Sequence, residues 1–237
     1  MIAAIHQPQF MPWLGYFDKM DRADAFVLLD TVQFKKNEFQ NRNRIKTAQG
    51  PMWLTVPVTY RFPQRIGEVG VDRSGDWRRR HLQALRTNYA RAAWWEESAA
   101  SLEEVYGPDW ESLAPLNAAS IAYLRSRLGI ATPLHWASRL GVHSEEPTAR
   151  LVEICRLLGA DTYLAGAGGR DYMDLEAFAR AGVTVLVQEY EHPVYPQCFG
   201  AFTSHLSALD LVLNCGPDSL DILRRGRAGA RAGGGRP

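Results

Sequence analysis

From Met1 to Ile5 the chain is apolar without a break, which reads as a short strand buried on both faces. Polar groups and two prolines follow at once in HQPQFMP. Pro8 and Pro12 each remove a backbone donor and restrict the residue before them, so Gln7 to Pro12 reads as a loop. Tyr16, Phe17 and Met20 then recur at helical spacing between Gly15 and Asp24. The next run, AFVLLDTVQF, is β-prone up to Asp30 and afterwards alternates Val32 and Phe34 against Thr31 and Gln33. Strand, polar loop, helix and strand in that order open a βαβ unit with a parallel sheet.

From Lys35 to Lys46 the chain turns basic and amide-rich, KKNEFQNRNRIK, and MWLTVPV after it reads as a strand. A turn-rich patch from Arg61 to Gly75 precedes the helical DWRRRHLQALRTNYARA, with Asp76 placed to act as N-cap. Residues 96–128 hold one or two further helices, interrupted near GPDW. Then TPLHWAS, EEPTARLVEICRLLG, DTYLAG, MDLEAFARAG and VTVLVQEY alternate strand and helix, a second βαβαβ run from Thr132 to Tyr190. Past HPVYPQCFG, Ser204 to Asn214 reads as a helix stopped by Gly216, with Pro217 just beyond.

These elements predict one α/β domain over residues 1–223: a Rossmann-like, mostly parallel sheet with helices on both faces and a helical middle insertion at about 76–128. From Arg224 to Pro237 only Gly, Ala, Arg and a final Pro remain, with nothing to bury, and this tail is expected to be disordered.

Composition narrows the partners. Lys and Arg total 27 against 26 Asp and Glu, with 46% hydrophobic residues, so the whole-chain balance gives no case for nucleic acid as a partner. Cys155, Cys198 and Cys215 are widely spaced and form no CxxC pair, which fits a reducing compartment. No apolar run approaches the ~20 residues of a membrane helix, and no basic segment leads into an apolar core at the start. The expectation is a cytoplasmic protein with no membrane span.

In a doubly wound sheet, ligands bind at the carboxyl ends of the strands. His6 and Gln7 stand at the end of the first strand. Asp30 ends the second, with Gln33, Lys35, Asn41, Arg42 and Arg44 close behind. His192 follows a later strand, so two imidazoles and a carboxylate are expected at one edge, a set suited to general acid/base catalysis. No short-spaced ligand pair accompanies them, and no metal is expected. Cys198 is either a nucleophile for a thioester or a small hydrophobe. Gly168 lies in the Gly-rich turn AGAGGRDY, which has room for phosphate but neither the P-loop lysine nor the G-x-G-x-x-G spacing. RRRH at Arg78 to His81 is a solvated helix face or an anchor for an anion. The basic stretch Lys35 to Lys46, with Phe34 and Phe39 interleaved, is the best nucleic-acid candidate in the chain and suits equally an anionic small molecule or the acidic surface of a carrier protein.

Taken together, IHQPQFMPWLGYFDKMDRADAFVLLDTVQFKKNEFQNRNRIK, WLTVPV, YLAGAGGRDYM, HPVYPQCFGAF and LSALDLVLNCG resemble the WbqC-like family over nearly the whole chain apart from the tail. Position by position, the resemblance falls on His6, Gln7, Pro8, Pro12, Gly15 and Tyr16, then on Asp30, Gln33, Asn41 and Arg42, and later on His192, Pro193, Tyr195, Gln197, Asp210, Asn214 and Gly216. Thr31 stands where the family pattern allows a second acidic residue, which weakens a two-carboxylate metal site. A more distant likeness to Rossmann-like nucleotidyltransferases and pantothenate synthetases concerns architecture, since their HxGH signature is absent.

The family is associated with surface-polysaccharide and natural-product gene neighbourhoods. The resemblance therefore implies a biosynthetic enzyme that transfers an acyl or aminoacyl group to a small-molecule amine. In that reading His6, His192 and Asp30 are catalytic, and Gln7, Tyr16, Gln33, Lys35, Asn41, Arg42, Gly168, Tyr195 and Gln197 bind substrate. No cofactor is fixed; the candidate donors are a phosphopantetheine-linked acyl group, brought by an acyl-carrier protein, or a nucleotide. The alternatives are a nucleotidyltransferase or ATP-dependent ligase, and a non-catalytic partner of a carrier protein or glycosyltransferase.

Overall fold

The opening βαβ unit is present as β1 (Ile2–His6), α1 (Leu14–Asp21) and β2 (Ala25–Leu28) in a computed structural model that describes residues 1–168 and 173–227. Next come an antiparallel hairpin, β3 (Arg42–Thr47) and β4 (Gly50–Thr55), and a two-residue pair, β5 (Val58–Thr59) and β6 (Gly70–Val71). Three helices follow, α2 (Trp77–Tyr89), α3 (Trp95–Tyr106) and α4 (Leu113–Arg127). The second alternation is β7 (Leu134–Trp136), α5 (Pro147–Leu158), β8 (Thr162–Ala165), α6 (Leu175–Arg180) and β9 (Thr184–Val187), and α7 (Ala208–Cys215) and α8 (Ser219–Arg224) close the fold.

The main sheet has the order β7-β2-β1-β8-β9, and every neighbouring pair is parallel. Its strands alternate their side chains between two cores. Ala3, Ile5, Val27, Tyr163 and Ala165 face one core, which is completed by Leu151, Ile154 and Cys155 of α5 and Phe178 of α6. Ala4, Phe26, Leu28 and Leu164 face the other, packed by Leu14, Phe17 and Met20 of α1 and by the α2–α4 layer and α7. Helices therefore cover both faces, which is why β1 and β2 read as continuous apolar runs rather than alternating ones.

Helix ends follow local chemistry. The Glu146 carboxylate accepts from the Thr148 and Ala149 amides at the start of α5, and Gly159 ends that helix at φ 69°. Asp76 stands at the N-cap of α2, but its carboxylate pairs with Arg79 and Arg80 instead of capping the backbone.

The basic stretch from Lys35 is not all loop. Residues 42–47 form β3, which pairs with β4 and joins no strand of the main sheet. Asn43, Ile45 and Thr47 turn inward while Arg42 and Arg44 stay half-exposed, so two of these three inward residues are polar and the pattern hid the strand.

Residues 224–227, counted with the tail on composition, are fixed against α1; residues 228–237 lie outside the described part. Arg224 holds Asp21 at 2.8 and 2.9 Å, and Arg227 Nε donates to Asp18 at 2.6 Å and pairs with Asp21 as well. Asp18 is fully buried, and its other oxygen accepts from Gln188 at 2.7 Å. An uncompensated buried carboxylate is costly, so the chain end is a structural clasp. Arg227→Ala should lower the free energy of unfolding by about 2–3 kcal/mol, less than the ~3–5 kcal/mol for a fully buried pair because the arginine is 26% exposed. Adding Asp18→Asn should recover part of that loss. Urea unfolding measures both, and a loss below ~0.5 kcal/mol, the level of an ordinary surface substitution, would show that the clasp carries no stability.

Candidate functional site

The chain leaves β1 toward β2 and β7 on one side and later builds β8 and β9 on the other, so the strand order reverses between β1 and β8. The crevice outside the carboxyl ends of these two strands is where an open α/β sheet takes its ligand. His6 is the last residue of β1, and the loop after it forms one wall.

That loop is held by side-chain amides. Asn117 of α4 donates to the Pro8 and Gln40 carbonyls at 3.1 and 2.7 Å, and Ser120 Oγ accepts from the Met11 amide at 3.0 Å. Asn43 of β3 donates to the Met11 carbonyl at 2.7 Å, and Gln40 Nε2 donates to Gln7 Oε1 at 2.8 Å. Pro8 and Pro12 have no N–H to satisfy, and the Phe10 amide donates to the Phe39 carbonyl at 3.1 Å.

His6 Nδ1 lies 3.1 Å from the Gln7 carbonyl oxygen. A carbonyl only accepts, so Nδ1 carries the proton and Nε2 keeps its lone pair. The ring meets the edge of Tyr16 at 4.7 Å, and the Tyr16 hydroxyl is buried with no partner among the described residues. Burial, and then the nearby Lys19 ammonium, push the imidazole down to a pKa of about 3, so it is neutral across the physiological range. Lys19 itself is 2% exposed and donates to the Ile5 carbonyl at 3.0 Å. Burial lowers it to about 7, and no carboxylate pairs with it among the described residues.

A second cluster forms where the segment after β9 returns to the first loop. Trp13 stacks on His205 at 5.6 Å and meets Tyr190 edge-on at 5.9 Å. His192 lies 5.3 Å from His205 and 6.1 Å from Tyr195. Its Nδ1 faces the Pro193 carbonyl at 3.0 Å, leaving Nε2 buried without a partner among the described residues, and burial lowers its pKa. Below it, the buried Asp210 carboxylate accepts from Tyr89 at 2.7 Å, Tyr195 at 2.9 Å and Gln197 at 2.7 Å. Lys46 Nζ donates to Gln197 at 3.1 Å.

The expected site residues therefore divide between two groups. His6, Gln7 and Tyr16 gather at the end of β1. His192, Tyr195 and Gln197 gather beside Trp13, and no hydrogen bond or ring contact joins the two histidines among the described residues. Asp30 meets neither; its carboxylate accepts from the Ser138 amide at 3.0 Å. Tyr195 and Gln197 direct their polar groups to Asp210. Asn41 donates to the Val56 carbonyl at 2.9 Å, Gln33 bridges to Arg65, and Arg42 stacks on Trp53 at 4.2 Å. Lys35 is exposed and gives its backbone amide to Gln40 at 2.9 Å. Gly168 is exposed after β8, and residues 169–172 of the same turn lie outside the described part.

Burial raises the Cys198 thiol pKa, and the sulfur sits 3.4 Å from Asn214 Oδ1, which argues against a thiolate nucleophile. The RRRH stretch serves the fold: Arg78 to Arg80 pair with Asp109 and Asp76, and His81 bonds the Thr55 carbonyl at 3.1 Å. Among the described residues, no group of three His, Cys, Asp or Glu side chains could hold a metal ion. Sequence reasoning missed Trp13, Asn117, Gln188 and His205, whose partners lie far away in the chain, and Lys19, whose charge is turned inward to the end of β1. Grooves between α5 and α6 and along β9 are lined by neither site histidine.

The model of the WbqC-like protein family matches residues 7–222. The chain belongs to the WbqC-like family. An uncharacterized protein of Mycobacterium tuberculosis is 37% identical over 227 residues, covering 93% of this chain and 96% of that protein. No solved structure matches. No helix is long and apolar enough to cross a membrane among the described residues.

For this WbqC-like protein the two depressed basic groups predict a particular pH dependence of stability. Lys19 titrates at about 7 when folded and near 10.5 when unfolded. Between those values the unfolded chain binds more protons, so this contribution rises with pH there. The native protein should gain on Lys19→Met by on the order of 3–5 kcal/mol between pH 7 and 10.5. His6 acts the same way between about 3 and 6.5, so His6→Gln should lose less stability than the native protein as pH falls through that window. Urea melts at stepped pH test both, and parallel curves for native and variant would disprove the assignment.

Proposed function

We propose that this WbqC-like protein is a biosynthetic enzyme that transfers an acyl or aminoacyl group to an amine, with His6 as the general base. The observation that carries the reading is the His6 ring itself. It stands at the strand-order reversal with Nδ1 tied to the Gln7 carbonyl at 3.1 Å and Nε2 left as a lone-pair acceptor.

In this reading the amine gives its proton to Nε2 as its nitrogen attacks the carbonyl carbon of the donor. The new C–N bond forms, the carbonyl oxygen takes the negative charge, and the imidazolium beside Lys19 faces that charge. Collapse of the tetrahedral intermediate breaks the bond to the leaving group, which takes the proton back from His6. Burial, with Lys19 nearby, keeps this imidazole unprotonated at neutral pH and so able to accept a proton. Tyr16, with its hydroxyl unpartnered beside His6, supplies a donor for the substrate. His192 stands beside the first loop, through His205 and Trp13, as the second imidazole of this reading.

A nucleotide donor is less well supported by the same geometry. Trp13 covers the first turn of α1, and a Cβ on Gly15 would lie 2.3 Å from the indole, so the usual phosphate seat of such sheets is occupied by a side chain.

Acyl-phosphopantetheine thioesters mixed with amino sugars, with amide formation followed by mass spectrometry, test the reading. His6→Ala should reduce turnover at least ~100-fold with the circular dichroism spectrum unchanged. Full rates in both His6→Ala and His192→Ala would sink it and leave the carrier-partner reading.

A further inference from the structure

The whole-chain charge balance conceals a strongly basic segment. Between Gln33 and Arg65 the sequence holds seven cations and a single acid, Glu38. Only Lys46 among these cations is buried, and only Arg65 meets a carboxylate, Glu145 at 2.9 Å, among the described residues.

Strand pairing gathers this charge on one surface. In the β3–β4 hairpin Arg42 stands opposite Thr55 and Arg44 opposite Trp53, so the two guanidiniums and the indole share the outward face. Arg42 lies 4.2 Å and Arg44 5.5 Å from the Trp53 ring centre. Trp53 is 41% exposed, and Phe39, 37% exposed, lies 6.0 Å from it. Beyond Lys35 and Lys36, the Gln33–Arg65 bridge brings up Phe62, which is 79% exposed. In the other direction Arg44 donates to the His205 carbonyl at 3.2 Å, and His205 stacks on Trp13. Planar rings and cations thus follow one another from Phe39 through Trp53, Arg42 and Arg44 to His205 and Trp13.

We propose that this ridge binds single-stranded RNA. Bases stack on exposed aromatic and guanidinium planes while the cations take the phosphates, which is how unpaired strands are recognised. The hairpin face is outward and exposed, whereas small molecules are held in concave pockets. Its exposed apolar groups are flat rings stacked with arginine, a poorer seat for an acidic carrier helix than for bases. The binding is read without turnover and stands or falls apart from the acyl-transfer reading.

Fluorescence anisotropy of the full protein with a fluorescein-labelled 12-nucleotide RNA of mixed sequence tests it, at 50 and 200 mM salt. Saturable binding should weaken with salt. Trp53→Ala should weaken it at least about tenfold, and Trp53→Phe, which keeps a stacking face, should retain most of it. Arg42→Ala should lower the log–log salt slope by about one phosphate contact. Arg180→Ala, an exposed arginine on α6 in ion pairs with Asp174 and Glu176, should bind as the native protein does. The proposal is overturned by no saturable binding at 50 mM salt, by equal affinity in Trp53→Ala, by preference for the same sequence as DNA, or by an acyl-carrier protein displacing the RNA from the ridge.

Discussion

The burial of β1 on both faces is the constraint from which the site follows. It lies between β2 and β8, with Ala3 and Ile5 in one core and Ala4 in the other. A strand enclosed in this way has no solvent face on which to place a polar side chain, so polar chemistry begins where the strand ends. His6 is the first side chain past that point. The loop after it is spared two unsatisfied amides by Pro8 and Pro12, and the Pro8 carbonyl and both backbone groups of Met11 are bonded by α4 and the hairpin. The candidate base is therefore held from three directions: the strand behind it, α4 above the loop through Asn117 and Ser120, and β3 through Asn43.

Helix α1 carries two buried charges in adjacent positions, and their separation gives each a task. Successive residues point about 100° apart around a helix. Asp18 turns to Gln188 and Arg227, which ties the end of the chain and the segment after β9 to the same turn. Lys19 turns to the end of β1, where its charge depresses His6. A single short helix thus links the C-terminal clasp to the electrostatics of the candidate base.

The fold was legible where burial is two-sided. The runs at Met1 to Ile5 and Ala25 to Leu28 show their state in composition alone because both faces of each strand are apolar, and the βαβαβ alternation from Thr132 was read from the succession of elements. β3 escaped because its inward residues include Asn43 and Thr47, which are buried to bond other backbone groups rather than to exclude water. At the candidate site, position along the sheet edge was legible and partnership was not. Asp30 does stand at the end of the second strand region, yet its carboxylate is engaged by Ser138, 108 residues on. Tyr195 and Gln197 are likewise occupied by Asp210. Such pairings depend on loops crossing in space, and periodicity carries no information about them.

Gly15 shows how the same sequence feature can serve a different physical need. After the first strand of a Rossmann-ordered sheet, a glycine at the helix start ordinarily lets a phosphate approach the backbone. Here the group that approaches is the Trp13 indole, so close that a Cβ at Gly15 would meet it at 2.3 Å. The indole then supports His205, which borders both His192 and Arg44. The anion seat expected of the fold is filled by an aromatic ring, and the positive charge that would have met a ligand there is found instead beneath His6, on Lys19, and along the hairpin. An anion meeting this protein would therefore find side-chain cations rather than the helix N-terminus, and on the hairpin Arg42 and Arg44 are held in plane against Trp53.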